Sequence, residues 1–219
     1  MVALDLGRWG RTPLRVLCLG AHPDDIEIGC GGLILELIAR RRRVDLDWIV
    51  FSASAARERE ARRSAAMFTR GAARRRIAVH DFRDGFFPYQ GAEIKKTFED
   101  LKAAASPDIV LTHFRDDRHQ DHRLLSELTW NTFRDHFVLE YEIPKFDGDL
   151  GAPNCFVPLK RSACARKVKY LEAVFGTQRD KHWFSESTFM ALMRLRGMEC
   201  RAAEGYAEAF YARKVVIAT

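Results

Sequence analysis

The chain has 219 residues, a net charge of +6, 47% hydrophobic and 30% charged residues. That length buries a sizeable core without covalent staples, and the balance is that of an ordinary globular protein, so disordered, collagen-like and disulfide-framework classes are excluded. No apolar run is long enough to span a bilayer and Met1 to Pro13 lacks the apolar core of a secretory signal; the cytosol is the expected location. The five cysteines (Cys18, Cys30, Cys155, Cys164, Cys200) are odd in number and form no CxxC pair, which fits reduced thiols. The arginine excess hints at an anionic partner. Arg40 to Arg43 and Arg74 to Arg76 read more readily as solvated faces, at a helix end and before a strand.

In chain order, Leu14 to Ala21 (LRVLCLGA) reads as a buried strand and Gly31 to Arg43 as a helix. Val44 to Ser52 predicts a second strand, and Ala55 to Thr69, free of Gly and Pro, a helix. Arg76 to Phe82 predicts a third strand, Asp84 to Gln90 a loop, and Ala92 to Ala105 a helix stopped by Ser106-Pro107. Asp108 to Phe114 predicts a fourth strand, His122 to about Asp135 a helix, and Phe137 to Ile143 a fifth strand. This alternation specifies an α/β fold: a Rossmann-like, mostly parallel sheet with helices on both faces, in three layers. Beyond Pro144 the pattern is less regular. Lys145 to Pro158 reads as a loop with a short strand at Cys155 to Leu159, Lys160 to Phe175 and Ser185 to Arg196 read as helices, and Tyr206 to Ile217 is ambiguous. No linker is visible, so residues 1–219 are expected to form a single domain, the part from about 145 completing the site.

Two stretches carry chemistry. Ala21-His22-Pro23-Asp24-Asp25-Ile26-Glu27 directly follows the first strand, and His119-Gln120-Asp121-His122 follows the fourth. Ligands gather at such strand ends in doubly wound folds. His22, Asp25 and His122 would supply two imidazoles and a carboxylate, a set suited to Zn²⁺ with an open position for water. Asp24 would be free to accept the water's proton, and His119 with Asp121 would form an imidazole–carboxylate pair beside the metal. Each stretch alone reads as a helix cap or a solvated helix start; their coincidence at two strand ends favours the metal. His113 reads as a support behind the ligands or a buried histidine bonded to backbone, Asp116 and Asp117 as loop-shaping or solvated, Cys30 as core, and Phe86, Phe87 and Tyr89 as the wall of a sugar pocket or, more readily, as packing.

AHPDDIEIGCGG resembles the signature of the PIG-L/LmbE-like zinc N-deacetylase family, and HQDH its HxDH partner. Arg57-Glu58-Arg59-Glu60-Ala61, Asp84-Gly85 and Tyr206-Ala-Glu-Ala-Phe210 resemble softer family segments. The resemblance implies a hydrolase that removes acetyl from an N-acetylated amino sugar. It implies His22, Asp25 and His122 as zinc ligands, Asp24 as general base, His119 as oxyanion stabiliser or acid oriented by Asp121, and Arg57, Asp84 and Arg118 as substrate contacts. Ile26 stands where many members have Glu, Gln120 where Pro is frequent, and Thr177-Gln178 where a serine-glutamine pair is often found. The substrate is open: basic residues near the site would suit a phosphate- or nucleotide-bearing acetamido sugar, another divalent metal would also suit the ligands, and oligomeric state is not readable. Two rivals are an S-adenosylmethionine-dependent methyltransferase, from the glycine-rich Glu27 to Gly32, and a basic nucleic-acid-binding module. The first lacks an acidic end to the second strand, and the second has no RNA- or DNA-binding motif.

Overall fold

The computed structural model describes residues 13–40 and 43–216. The expectations for residues 1–12, Arg41, Arg42 and Ile217 lie outside them. Seven strands form one sheet in the order β3-β2-β1-β4-β5-β7-β6. β1 (Leu14–Gly20) pairs in parallel with β2 (Val44–Val50) on one side and β4 (Ile109–His113) on the other. β3 (Arg74–Val79) and β5 (Phe137–Tyr141) extend the parallel set. β7 (Tyr206–Ala212) runs antiparallel to both β5 and the edge strand β6 (Cys155–Leu159).

Successive side chains of a strand face opposite ways, and β1 shows this. Val16 and Cys18 enter the core beneath α1 (Asp25–Ala39), α2 (Ala55–Phe68), α5 (Arg161–Val174) and α6 (Glu186–Glu199). Leu17 and Leu19 enter the core beneath α3 (Gly91–Ala104) and α4 (Gln120–Thr132). A strand buried on both faces reads as a near-continuous apolar run, which is why LRVLCLG is legible.

The elements differ from expectation in four places. α1 starts at Asp25, six residues before Gly31, because its glycines are packing devices inside the helix. A Cβ on Gly29 would lie 2.1 Å from the Tyr141 ring, one on Gly31 2.6 Å from Phe68, and one on Gly32 2.6 Å from Leu159. The helix thus lies against β5, α2 and β6. A glycine-rich cofactor loop after β1 is thereby absent, and the methyltransferase reading falls with it. β3 begins at Arg74, so the arginine cluster forms part of an edge strand, where Arg76 Nε meets Asp47 Oδ1 at 2.9 Å; charge on an edge discourages further pairing. Phe87–Gln90 form a 3₁₀ turn inside the expected loop. The ambiguous tail is β7, held between β5 and β6.

Glu208, from the Tyr206–Phe210 segment, explains part of this seating. Its carboxylate accepts from Gly32 N and Leu33 N, both at 2.7 Å, and from Lys167 Nζ at 2.7 Å. Lys167 Nζ also donates to Ile28 O at 2.6 Å, the carbonyl that a regular helix offers to Gly32. A buried ion pair is therefore spliced into the middle of α1. Removing Glu208 leaves the Lys167 charge and two helix amides unmet. Glu208→Ala is expected to cost about 3–5 kcal/mol, read as a lower midpoint in urea denaturation.

Candidate active site

The chain leaves β1 toward one face of the sheet and β4 toward the other. Such a divergence between neighbouring strands opens a crevice at their carboxyl ends. His22 follows β1, Asp24 is the N-cap of α1 with its carbonyl accepting from Ile28 N at 3.0 Å, and Asp25 opens the helix. Across the crevice His119 caps α4, and Asp121 and His122 occupy its first turn. His22 Nδ1 and His122 Nε2 lie 3.2 Å apart, and Asp25 Oδ2 lies 3.3 Å from the first and 3.6 Å from the second. All three residues are buried.

The far side of each ring decides which nitrogen faces inward. His122 Nδ1 meets Asp117 Oδ2 at 2.9 Å, and a carboxylate only accepts, so Nδ1 carries the proton and Nε2 offers a lone pair. His22 Nε2 meets Asp84 Oδ1 at 3.0 Å and Asp121 Oδ2 at 3.3 Å, so Nε2 carries a proton; against burial, Asp25, Asp121 and Asp84 raise the His22 pKa well above the usual imidazole value, and Nδ1 is the nitrogen that gives up its proton to a cation. Two inward-facing ring nitrogens and a carboxylate oxygen therefore converge. A tetrahedral ion with bonds of about 2.0–2.1 Å sets its ligand atoms roughly 3.3 Å apart, which fits the triangle observed. Carboxylates behind ligating imidazoles are the usual support of such a site.

Overlapping donor clusters also join His22 to His119 and His122, His22 to Asp84, His119 and Asp121, and Asp25 to His113 and His122. His113 is removed from the set by its own bond. Ala21 N donates to its Nε2 at 3.0 Å, while its ring stacks on His122 with centroids 3.9 Å apart. Of the two expectations for His113, the backbone bond is the one observed. His119 Nδ1 accepts from Asp121 N at 3.2 Å, leaving Nε2–H as its free donor. Burial, then the neighbouring His22, lowers the His119 pKa, so the ring sits in the neutral form.

Against expectation, the Asp121 carboxylate does not orient His119. Its bonds go elsewhere: to His22, to Gly85 N at 2.7 Å and to Phe87 N at 3.1 Å. It ties the loop after β3 to the second motif, and only its amide reaches His119. Asp84, expected at the substrate, reaches His22, whose hydrogen bond holds its pKa down to about 2. Arg57 Nη2 donates to Asp24 Oδ1 at 2.6 Å. Burial raises the Asp24 pKa against the pull of that guanidinium, whereas three imidazoles overcome burial and hold Asp25 well below the usual carboxylate range. Burial, then His113, pulls His122 down to about 3. Arg118 is exposed, gives its amide to Asp149 Oδ2 at 2.7 Å, and does not line the cleft.

Other residues drawn into the site have little sequence signal. Lys145 Nζ binds Asp117 Oδ2 at 3.0 Å and Asp149 Oδ2 at 2.5 Å. Glu60, one turn beyond Arg57, accepts from Thr177 N at 3.0 Å and Thr177 Oγ1 at 2.6 Å, so the R-x-x-E pair of α2 grips both Asp24 and the turn that brings Gln178 to the cleft wall. The cleft has a volume of about 210 Å³ and opens past Lys145, Phe146, Asp147, Gln178, Lys181 and Trp183.

The family model for PIG-L, GlcNAc-PI de-N-acetylase, matches residues 17–133. The chain belongs to this family. It is accordingly a PIG-L-type N-deacetylase, a hydrolase whose relatives are metal-dependent. No curated protein matches the chain. Among solved structures it resembles N,N'-diacetylchitobiose deacetylase from Pyrococcus horikoshii (20% identity, 95% of this chain and 87% of that one, TM-score 0.71). It also resembles the conserved protein TT1542 from Thermus thermophilus (19% identity, 94% and 97%, TM-score 0.71). A third likeness is to GalB, the 4-carboxy-2-hydroxymuconate hydratase from Pseudomonas putida (16% identity, 94% and 98%, TM-score 0.72). These likenesses establish the three-layer PIG-L fold; the reaction is argued from the site.

Because Asp121 meets the His22 imidazole and two backbone amides, Asp121→Ala leaves buried donors unmet, each worth roughly 1–3 kcal/mol. The expected outcome is a chain destabilised by at least about 2 kcal/mol in chemical denaturation, with Asp121→Asn recovering part of the loss.

Proposed function

We propose that the chain removes the acetyl group from an N-acetylated amino sugar of the N-acetylglucosamine type, using Zn²⁺ held by His22, Asp25 and His122. The observation that carries this is the inward-facing triangle of those three residues with a fourth group, Asp24, beside it and outside it. Zinc, when bound, supplies an activated water and polarises the acetamide carbonyl. Asp24 takes the proton released as water attacks. Its raised pKa suits it to hold that proton and return it to the departing nitrogen, and Arg57 keeps its carboxylate aimed. His119 Nε2–H, neutral and fixed by the Asp121 amide, donates to the carbonyl oxygen as negative charge develops; one such donor is typically worth on the order of 100-fold or more in rate. Asp117, Asp84 and Asp121 act through the imidazoles they orient.

Arg118, exposed on the helix approach, is left with a contact to a larger substrate at most. We take residues 1–219 as a single LmbE-like unit, since the part from about 145 adds two strands to the sheet and Phe146, Gln178 and Trp183 to the cleft. No helix among the described residues is long and apolar enough to cross a membrane. The free cysteines, with Cys18, Cys30 and Cys164 buried, support a reducing compartment, the cytosol. The nucleic-acid reading has nothing at this site to recommend it.

Asp24→Ala is expected to retain zinc after dialysis while losing roughly 10²–10⁴-fold in kcat, and His22→Ala or His122→Ala to lose the metal too. Metal analysis beside acetate release from N-acetylglucosamine substrates checks both, and a wild-type rate for Asp24→Ala would overturn the assigned base. Arg57→Met removes the cation that lowers the Asp24 pKa. The base then stays protonated to higher pH, so the acid limb of the pH–rate profile should move upward.

A further inference from the structure

The cleft continues outward between two C-terminal segments, residues 144–153 after β5 and 176–185 between α5 and α6. They bring Phe146 and Trp183 to its rim. Phe146 is 71% exposed, with its ring centroid 4.7 Å from that of His182. Trp183 is half-buried, and Lys181 Nζ sits 5.5 Å from its ring centroid. The loop bearing Phe146 is strapped down at both ends. Lys145 is bound to Asp117 and Asp149, while Arg196 Nη2 donates to Gly151 O at 3.0 Å and to Glu142 Oε1 at 2.7 Å. An exposed aromatic ring on a braced loop is presented without much ordering cost on binding.

The charges along the cleft argue against an anionic ligand. Its cations are Arg57, Lys145 and Lys181. Arg57 is paired with Asp24 through Nη2 at 2.6 Å, its Nε buried, and Lys145 is held by two carboxylates. Only Lys181 has no carboxylate partner among the described residues, and it lies over Trp183. Of the acids that line the same space, Asp24, Asp25 and Asp84 are paired with Arg57 and the histidines, and Asp147 adds a further carboxylate at the rim. Recognition of a phosphate or diphosphate calls for several free charged donors, and this wall offers one. It offers two aromatic faces instead, which suit a flat or apolar group.

We propose that the substrate is a neutral N-acetylglucosaminide whose apolar, aromatic-type aglycone lies against Phe146 and Trp183, and that a phosphate- or nucleotide-linked sugar is not the substrate. The proposal rests on the deacetylase reading above.

The test compares free N-acetylglucosamine, its phenyl β-glycoside and its uridine diphosphate conjugate on the zinc-loaded full chain, by acetate release and by calorimetric binding. The phenyl glycoside is expected to exceed the free sugar about tenfold in kcat/KM, through a lower KM, and the nucleotide conjugate to gain nothing. Phe146→Ala and Trp183→Ala should each pull the phenyl-to-free ratio toward one, while Tyr89→Ala, exposed outside the cleft, leaves it intact. Equal efficiency for all three, a preference for the nucleotide conjugate, or a ratio untouched by both variants overturns the proposal. So does sedimentation showing a dimer that Phe146→Ala dissociates, since the rim would then be a subunit contact. Should no compound release acetate, the deacetylase reading fails by itself. Calorimetry then decides the rim: tighter binding of the phenyl glycoside, weakened in Phe146→Ala, sustains an aromatic-aglycone site, and its lack overturns one.

Discussion

The site depends on the hydrogen bonds made on the outer sides of two imidazole rings. Asp117 behind His122, and Asp84 with Asp121 behind His22, fix which nitrogen of each ring carries a proton. Without them either tautomer would serve, and the two nitrogens 3.2 Å apart would as readily share a proton as present two lone pairs. The carboxylates fix which nitrogen of each ring faces the crevice to take a ligand, as outer-shell acids commonly do for metal-binding histidines. They also tie together loops that leave different strands. Asp121 collects two amides from the loop after β3, and Asp117 collects Lys145 from the loop after β5. Orientation of the donors and closure of the surrounding loops are thus one network.

The fold delivers that network through α1. The helix must start at the end of β1 and lie close to the sheet if Asp24 and Asp25 are to reach the crevice. Glycine at 29, 31 and 32 permits the approach to Tyr141, Phe68 and Leu159. Tyr141 in turn sends its hydroxyl to Leu19 O at 2.6 Å, so the ring that demands a glycine in the helix also braces the strand before His22. Glu208 and Lys167 splice in from the C-terminal half. The irregular final third is therefore a support for the motif at the N-terminus.

What can be read in advance follows from range. β1, β2, β4, β5 and the helices between them announce themselves by local periodicity and composition, and the two metal motifs by their dense polar residues after apolar runs. The start of α1 is hidden because glycine argues locally for a loop, while here tertiary contacts with three separate elements require it. The partners of Asp84 and Asp121 escape the sequence for a similar reason. Proximity along the chain suggests that Asp121 serves His119, yet neighbours in the first turn of a helix point apart, and the carboxylate meets His22 across the crevice. Lys145 carries no local signal, since a lysine in a Pro- and Gly-containing loop reads as solvated. Arg118 is singled out only by standing next to a motif histidine, and adjacency in sequence again fails to predict direction.

A hydratase and a deacetylase both share this architecture, so the scaffold by itself does not choose the reaction, and the donors around the crevice must. Adding water across a carbon–carbon double bond and hydrolysing an amide both begin with a proton taken from water. They part at the second proton, which goes to carbon in one case and to a leaving nitrogen in the other. An amine departs from a tetrahedral centre only if protonated, and a base that has taken the water's proton can return it when it lies within reach of the nitrogen. Asp24 meets this requirement with one side chain. Burial raises its pKa, Arg57 limits the rise, and neither group is a metal ligand in the proposed set. His119, held neutral with its one N–H free, is better matched to an oxyanion than to a second proton transfer, because giving up that proton would leave an imidazolate beside Asp84 and Asp121. In the proposed reaction the division of labour is therefore a carboxylate that shuttles the proton and an imidazole that only donates a hydrogen bond.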